Sequence, residues 1–198
     1  MLQITSEQIE QALKVLRRGG VVVFPTETSY GLGCDATNES AVSRIFEIKG
    51  REGGKGLPVL IPSVDSASDF VDLSEAARDL ASRFWPGALN IIAPVAEGSS
   101  IVERCGQDGT QSVRVSSHPF ATTLTHQLGK PLVATSANVS GSGDVYSVRD
   151  VKANFRDRPQ KPDLFIDGGD LPASPPSTTV KIVGDEVEVI RQGSVLIE

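Results

Sequence analysis

Lys49, Arg51 and Lys55 place three cations within seven residues, with Gly50, Gly53, Gly54 and Gly56 between and beside them. Glycine frees the backbone and clustered cations attract anions, so this stretch reads as an exposed loop that meets a phosphate or a carboxylate. Glu47 and Glu52 interleave with the cations, which is also the pattern of a solvated charge run. The segment that leads into it, PTETSYGLG from Pro25, is a hydroxyl-rich turn, joined to the cations through one short helix. Familiar alternatives fail. Gly50 to Lys55 is no Walker loop, because three residues instead of four precede Gly54, and Gly56 follows Lys55 where Ser or Thr is needed. Gly31-Leu32-Gly33 lacks the third glycine of a dinucleotide fingerprint, and neither His118 nor His126 accompanies a Gly-x-Ser-x-Gly elbow. Both histidines read as satisfied surface or helix-start residues.

The elements that must position these groups alternate along the chain. Thr5 and Gln8 form a capping-box pair, and Ile9, Ala12, Leu13 and Leu16 follow at helical spacing until Gly19 and Gly20 stop the run. Residues 21–24 are a continuous apolar run, read as a buried strand that ends at Pro25 and carries the hydroxyl turn at its tip. A helix over 38–49 puts Val42, Ile45 and Phe46 on its apolar stripe, and Lys49, four residues past Ile45, continues that inward face. Lys49 can complement the helix C-terminal dipole before Gly50 or reach into a pocket. Strands are predicted over 57–61, 88–95, 113–115, 132–134 and 164–166, and helices over 74–84 and after Pro119. Alternation on 113–115 turns Arg114 away from its two apolar neighbours. The stretch TTVKIVGDEVEVIRQG alternates around Gly184-Asp185 and predicts a hairpin. Hairpins together with crossovers predict an α/β (α+β) mixed sheet.

Composition narrows the function. With 198 residues, 39% of them hydrophobic and 22% charged, the chain can bury a real core as one globular domain, or at most two lobes. No stretch approaches the ~20 apolar residues of a membrane helix, and the N-terminus lacks a basic flank, apolar run and cleavage site, so a cytoplasmic protein without membrane contact is expected. Cys34 and Cys105 are far apart with no partner at metal-ligand spacing, which predicts two reduced thiols. A net charge of −6 argues against a surface that wraps nucleic acid, but not against a small basic cavity.

Several segments, in order, resemble the YrdC-like threonylcarbamoyl-adenylate synthases. They are the hydroxyl turn, the Lys49-x-Arg51-x-x-x-Lys55 cluster, Arg114 in SVRVSSHP with Thr110 four residues upstream, Ser136-Ala-Asn138, Ser177-Thr178-Thr179-Val180 and Arg191-Gln192-Gly193. The likeness runs from Gly20 to Ser194. Ser116 stands where that family usually has Pro, Gln192 replaces the Pro after the closing Arg, and Leu60 occupies a place where some members carry His.

The resemblance implies one YrdC-like domain over 1–198, an open twisted mixed sheet flanked by helices around a basic cavity, in the short form without the extra C-terminal domain. It implies condensation of L-threonine, bicarbonate or CO2, and ATP into threonylcarbamoyl-adenylate and pyrophosphate, serving the tRNA threonylcarbamoyl-transfer machinery. Arg51, Lys55, Thr110, Ser136, Asn138, Asp144 and Arg191 would contact ATP. Thr28, Tyr30, Lys49, Arg114, Ala134 and Ser177 would surround threonine and its carbamate, with Lys49 and Arg51 catalytic. Mg2+ would accompany the triphosphate, with no dedicated metal site. Two other functions share these features: an RNA-binding module using the same cavity, and a carbamoyl-adenylate-forming relative with another acceptor.

Overall fold

The computed structural model describes residues 5–51, 56–183 and 186–197. Helix α1 (Ser6–Leu16) begins at the expected capping box, with Thr5 accepting from the Gln8 N–H and the Gln8 side chain accepting from the Thr5 N–H at 2.9 Å. Helix α2 (Glu39–Lys49) is capped by Asn38 and stops at Gly50, whose φ of 59° is the left-handed conformation that favours glycine. Ser74 caps α3 (Glu75–Phe84). His118 starts α4 (Pro119–Leu128), its Nδ1 accepting from the Phe120 N–H, and it is buried there instead of lying on the surface. Helix α5 (Val148–Asn154) has no counterpart in the sequence reading, because seven residues are too few for a period to show.

The strands form two open mixed sheets where one was expected. In the smaller, β1 (Val22–Pro25) pairs with β2 (Tyr30–Gly33) as a hairpin and with β8 (Leu164–Phe165) in parallel, while β7 (Thr135–Ser136) adds to β2. In the larger, β10 (Glu186–Arg191), β9 (Thr178–Val183), β4 (Leu89–Pro94), β5 (Thr110–Arg114), β3 (Val59–Leu60) and β6 (Leu132–Val133) lie side by side in that order. The predicted hairpin is the antiparallel pair β9–β10, whose turn at Gly184-Asp185 lies outside the described residues. The division has a local cause: the stretch 132–136 serves both sheets. It pairs with β3 as β6, donates the Ala134 N–H to the Pro58 carbonyl at 2.9 Å, then pairs with β2 as β7. At the same joint the Val133 N–H donates to the Cys34 carbonyl at 2.9 Å.

Burial explains the apolar patterns. Strand β1 is covered on both sides, Val22 and Phe24 by a cluster with α1 and α4, and Val23 by the main core with Ile45 and Val42 of α2. The larger sheet is different. On β4, β5 and β9 the residues Leu89, Ile91, Val113 and Val180 enter the core, while Asn90, Ile92, Ser112, Arg114, Thr179 and Lys181 line a cavity on the opposite face. Leu60 is 1% exposed in the α1–α4 cluster and does not line the cavity. Among the described residues no helix is long and apolar enough to cross a membrane.

A Cβ on Gly33 would run into the Val133 carbonyl oxygen at the joint between the sheets, which is backbone and cannot swing aside. Gly33→Ala is expected to destabilise the protein by about 1–3 kcal/mol, as overpacking does. Urea denaturation reads this directly.

Candidate functional site

The cavity, about 630 Å3, lies between the polar face of the larger sheet, the turn joining β1 to β2, the 134–136 joint and the 105–110 loop. Of the thirteen site residues proposed from sequence, Thr28, Tyr30, Arg51, Thr110, Arg114, Ala134, Ser136, Asp144, Ser177 and Arg191 line it. Lys55 lies outside the described residues. Lys49 and Asn138 stand behind the wall instead of in it. Among the described residues four cations, Arg51, Arg114, Lys181 and Arg191, and two carboxylates, Asp108 and Asp144, line the cavity, a basic balance within an acidic protein.

The hydroxyl turn is tied by Thr26, whose Oγ1 donates to the Ser29 carbonyl at 2.7 Å and accepts the N–H groups of Thr28 and Ser29 at 3.3 Å. Tyr30 lines the cavity, but its hydroxyl is already engaged. It donates to the Gly169 carbonyl at 2.8 Å and accepts the Gly168 N–H at 2.9 Å. Thr110 donates to the Gln107 carbonyl at 2.8 Å.

Lys49 resolves its two alternatives in favour of the interior, but not of the cavity. It is 3% exposed, and Nζ donates to the Ser136 carbonyl at 2.5 Å, the Asn138 carbonyl at 2.9 Å and Asn138 Oδ1 at 3.1 Å. Burial, with Arg51 adding to it and Asp144 opposing, pulls its pKa down to about 7. Asn138 in turn accepts from Ser136 Oγ at 2.6 Å and donates to the Gly143 carbonyl at 2.6 Å. These two residues therefore brace Ser136 and the backbone beside Asp144.

Arg114 is 4% exposed at the end of β5. Its Nη1 donates to Glu27 Oε1 at 2.9 Å and to Ser177 Oγ at 2.8 Å, and its Nε is buried without a partner among the described residues. Burial pushes the Glu27 carboxyl up, yet Arg114, the Ser116 hydroxyl and nearby backbone N–H groups hold it below its ordinary value. Arg191 grips the Ser177 carbonyl through Nε at 3.0 Å and Nη2 at 2.8 Å. Burial lowers the pKa of both Arg51 and Arg191. Cys105 also lines the wall, but burial pushes it up to about 12, so it stays a thiol and offers no nucleophile.

The sequence reading missed Glu27, Asn90, Ser112 and Thr179. Glu27 lies inside the hydroxyl-rich turn, where its neighbours carry the stronger signal. The other three carry the same period-2 signal that turns Arg114 away from its apolar neighbours.

A mixed α/β chain with a basic, hydroxyl-lined cavity between two sheets has the charge and shape to accept a small anionic ligand. The Sua5, YciO and YrdC family model, described as telomere recombination, matches residues 14–193, and the chain belongs to that family. It is 36% identical over 197 residues to the threonylcarbamoyl-AMP synthase of Pyrococcus abyssi, covering 99% of this chain and 57% of that protein. The chain thus spans little more than half the length of that relative. It superposes on the P. abyssi Sua5 structure complexed with L-threonine with a TM-score of 0.89 at 34% identity, covering 97% of this chain and 56% of that one. Against E. coli YciO the TM-score is 0.85 at 27% identity, covering 96% and 91%.

Two outcomes test this geometry. Lys49→Met leaves three buried acceptors without their donor and should lower unfolding free energy by about 1–3 kcal/mol, measured by chemical denaturation. For Glu27, a folded-state pKa below the ordinary 4.5 means a contribution to stability present above that pH and lost as pH falls through the folded value. Unfolding of the native chain and of Glu27→Gln, compared at pH 7 and pH 3.5, should show the gap narrowing in acid.

Proposed function

We propose that the chain condenses L-threonine, bicarbonate or CO2, and ATP into threonylcarbamoyl-adenylate with release of pyrophosphate. The observation that carries this reading is the pairing, in one cavity, of a buried arginine having an unpartnered Nε with a set of further cations. The first suits an amino-acid carboxylate held in two-pronged fashion, and the second a triphosphate. The name of the P. abyssi relative and the threonine bound to its structure point the same way.

In this reading the threonine amine captures bicarbonate or CO2 as a carbamate, whose oxygen attacks the α-phosphate as pyrophosphate leaves. Both partners are anions. Fixed cations offset their repulsion, and alignment alone can supply ~7–11 kcal/mol, so no protein nucleophile is required. Arg114, Ser177, Thr28, the ring of Tyr30 and the Ala134 backbone would surround threonine. Arg51, Lys55, Thr110, Ser136, Asp144 and Arg191 would contact ATP, with Lys49 and Asn138 supporting Ser136 from behind. Mg2+ would arrive on the triphosphate, where Asp108 and Asp144 of the wall suit a nucleotide-borne ion. When bound it supplies charge neutralisation at the phosphates. The product would pass to the tRNA threonylcarbamoyl-transfer machinery.

Pyrophosphate release from ATP should require threonine and bicarbonate together, with a threonine-containing adenylate as co-product. Equal release without threonine would refute the reading. Arg114→Lys keeps the charge but loses the planar fork, and should weaken threonine affinity roughly ten- to a hundred-fold while sparing ATP, as titrations of the two ligands would show.

A further inference from the structure

Glu27 and Ser116 have no part in the reaction just described, yet they determine how Arg114 sits. Glu27 lies between Thr26 and Thr28 in the β1–β2 turn, and those neighbours line the cavity while Glu27 does not. Its carboxylate crosses to the larger sheet instead. Oε1 accepts from Arg114 Nη1 at 2.9 Å, and Oε2 accepts from the Ser116 hydroxyl at 2.6 Å. Ser116 Oγ meanwhile accepts the His118 N–H at 3.2 Å, which leaves its proton directed at Glu27. Both hydrogens of Arg114 Nη1 are then spent, one on Glu27 and one on Ser177 Oγ at 2.8 Å. A guanidinium carries five N–H groups in a rigid fork, and the edge that remains is the one made by Nε and Nη2. Nε has no partner among the described residues. That edge is a two-pronged donor matched to a carboxylate.

We propose that Glu27 and Ser116 are positioning residues that hold Arg114 with its Nε–Nη2 edge free for the substrate carboxylate, so that they set threonine affinity without touching threonine. The inference rests on the threonine reading above. Ser116 matters here because its hydroxyl is the second donor that fixes the Glu27 carboxylate. Glu27 also balances the Arg114 charge, so what Arg114 adds to recognition is orientation more than net charge. Orientation fixed in advance removes an ordering cost that binding would otherwise incur.

The test is calorimetric titration of L-threonine, and separately of ATP with Mg2+, into the full chain and its Ser116→Ala and Glu27→Gln variants, alongside steady-state kinetics. Threonine affinity should fall roughly tenfold in Ser116→Ala, as expected when a bond to a charged group is lost, and further in Glu27→Gln. ATP affinity should stay within about twofold, with threonine KM rising far more than kcat falls. Ser116→Ala at wild-type threonine affinity, or an equal loss for threonine and ATP, would overturn the inference. Should Glu27→Gln fail to fold, the milder Ser116→Ala decides alone. A wild-type chain that binds no threonine would refute the threonine reading itself, whereas one that binds it as tightly as both variants do would refute only the positioning role.

Discussion

A guanidinium buried as deeply as that of Arg114 must find a partner, because an uncompensated charge in a protein interior is among the most costly features a fold can carry. Its partner comes from the other sheet. Glu27 sits in the turn of the smaller sheet, Arg114 ends β5 in the larger, and Ser177 leads into β9, so one polar cluster ties three segments around the same cavity. Removing one member of such a pair typically costs about 3–5 kcal/mol, because the other charge is left buried without compensation. The contact that joins the two sheets here is also the one that orients the group proposed to receive a carboxylate.

A second set of contacts acts at the 136–143 turn. Lys49 reaches through the end of α2 to the carbonyls of Ser136 and Asn138, and Asn138 fastens Ser136 and Gly143. An ammonium offers three N–H groups and meets three acceptors here, which fixes the 136–143 turn more firmly than backbone pairing over the two-residue strand β7 could. Rigid walls suit a reaction that aligns two anions and needs little from the protein beyond charge and position.

Much of this was legible in the sequence, and the parts that were not have physical reasons. Thr5, Asn38 and Ser74 gave true helix starts because capping is local chemistry. The run 21–24 read correctly as a strand covered on both sides. The division into two sheets was hidden because it depends on residues 132–136, where two-residue strands carry no period and the pairing is long-range. Spacing puts Lys49 on the inward face, as the structure has it, but cannot say that its Nζ turns to the Ser136 and Asn138 carbonyls, since spacing fixes a direction and not the partners met there. Glu27 escaped because an acid among hydroxyls has no sequence signal for a partner 87 residues away.

The central claim is that Arg114, already anchored by Glu27, receives the amino-acid carboxylate in the cavity between the sheets. A crystal structure of the protein with L-threonine tests it most directly. The account predicts the carboxylate against Nε and Nη2 of Arg114 with the Arg114–Glu27 contact intact. Threonine bound elsewhere, or an Arg114 that leaves Glu27 to reach it, would contradict it.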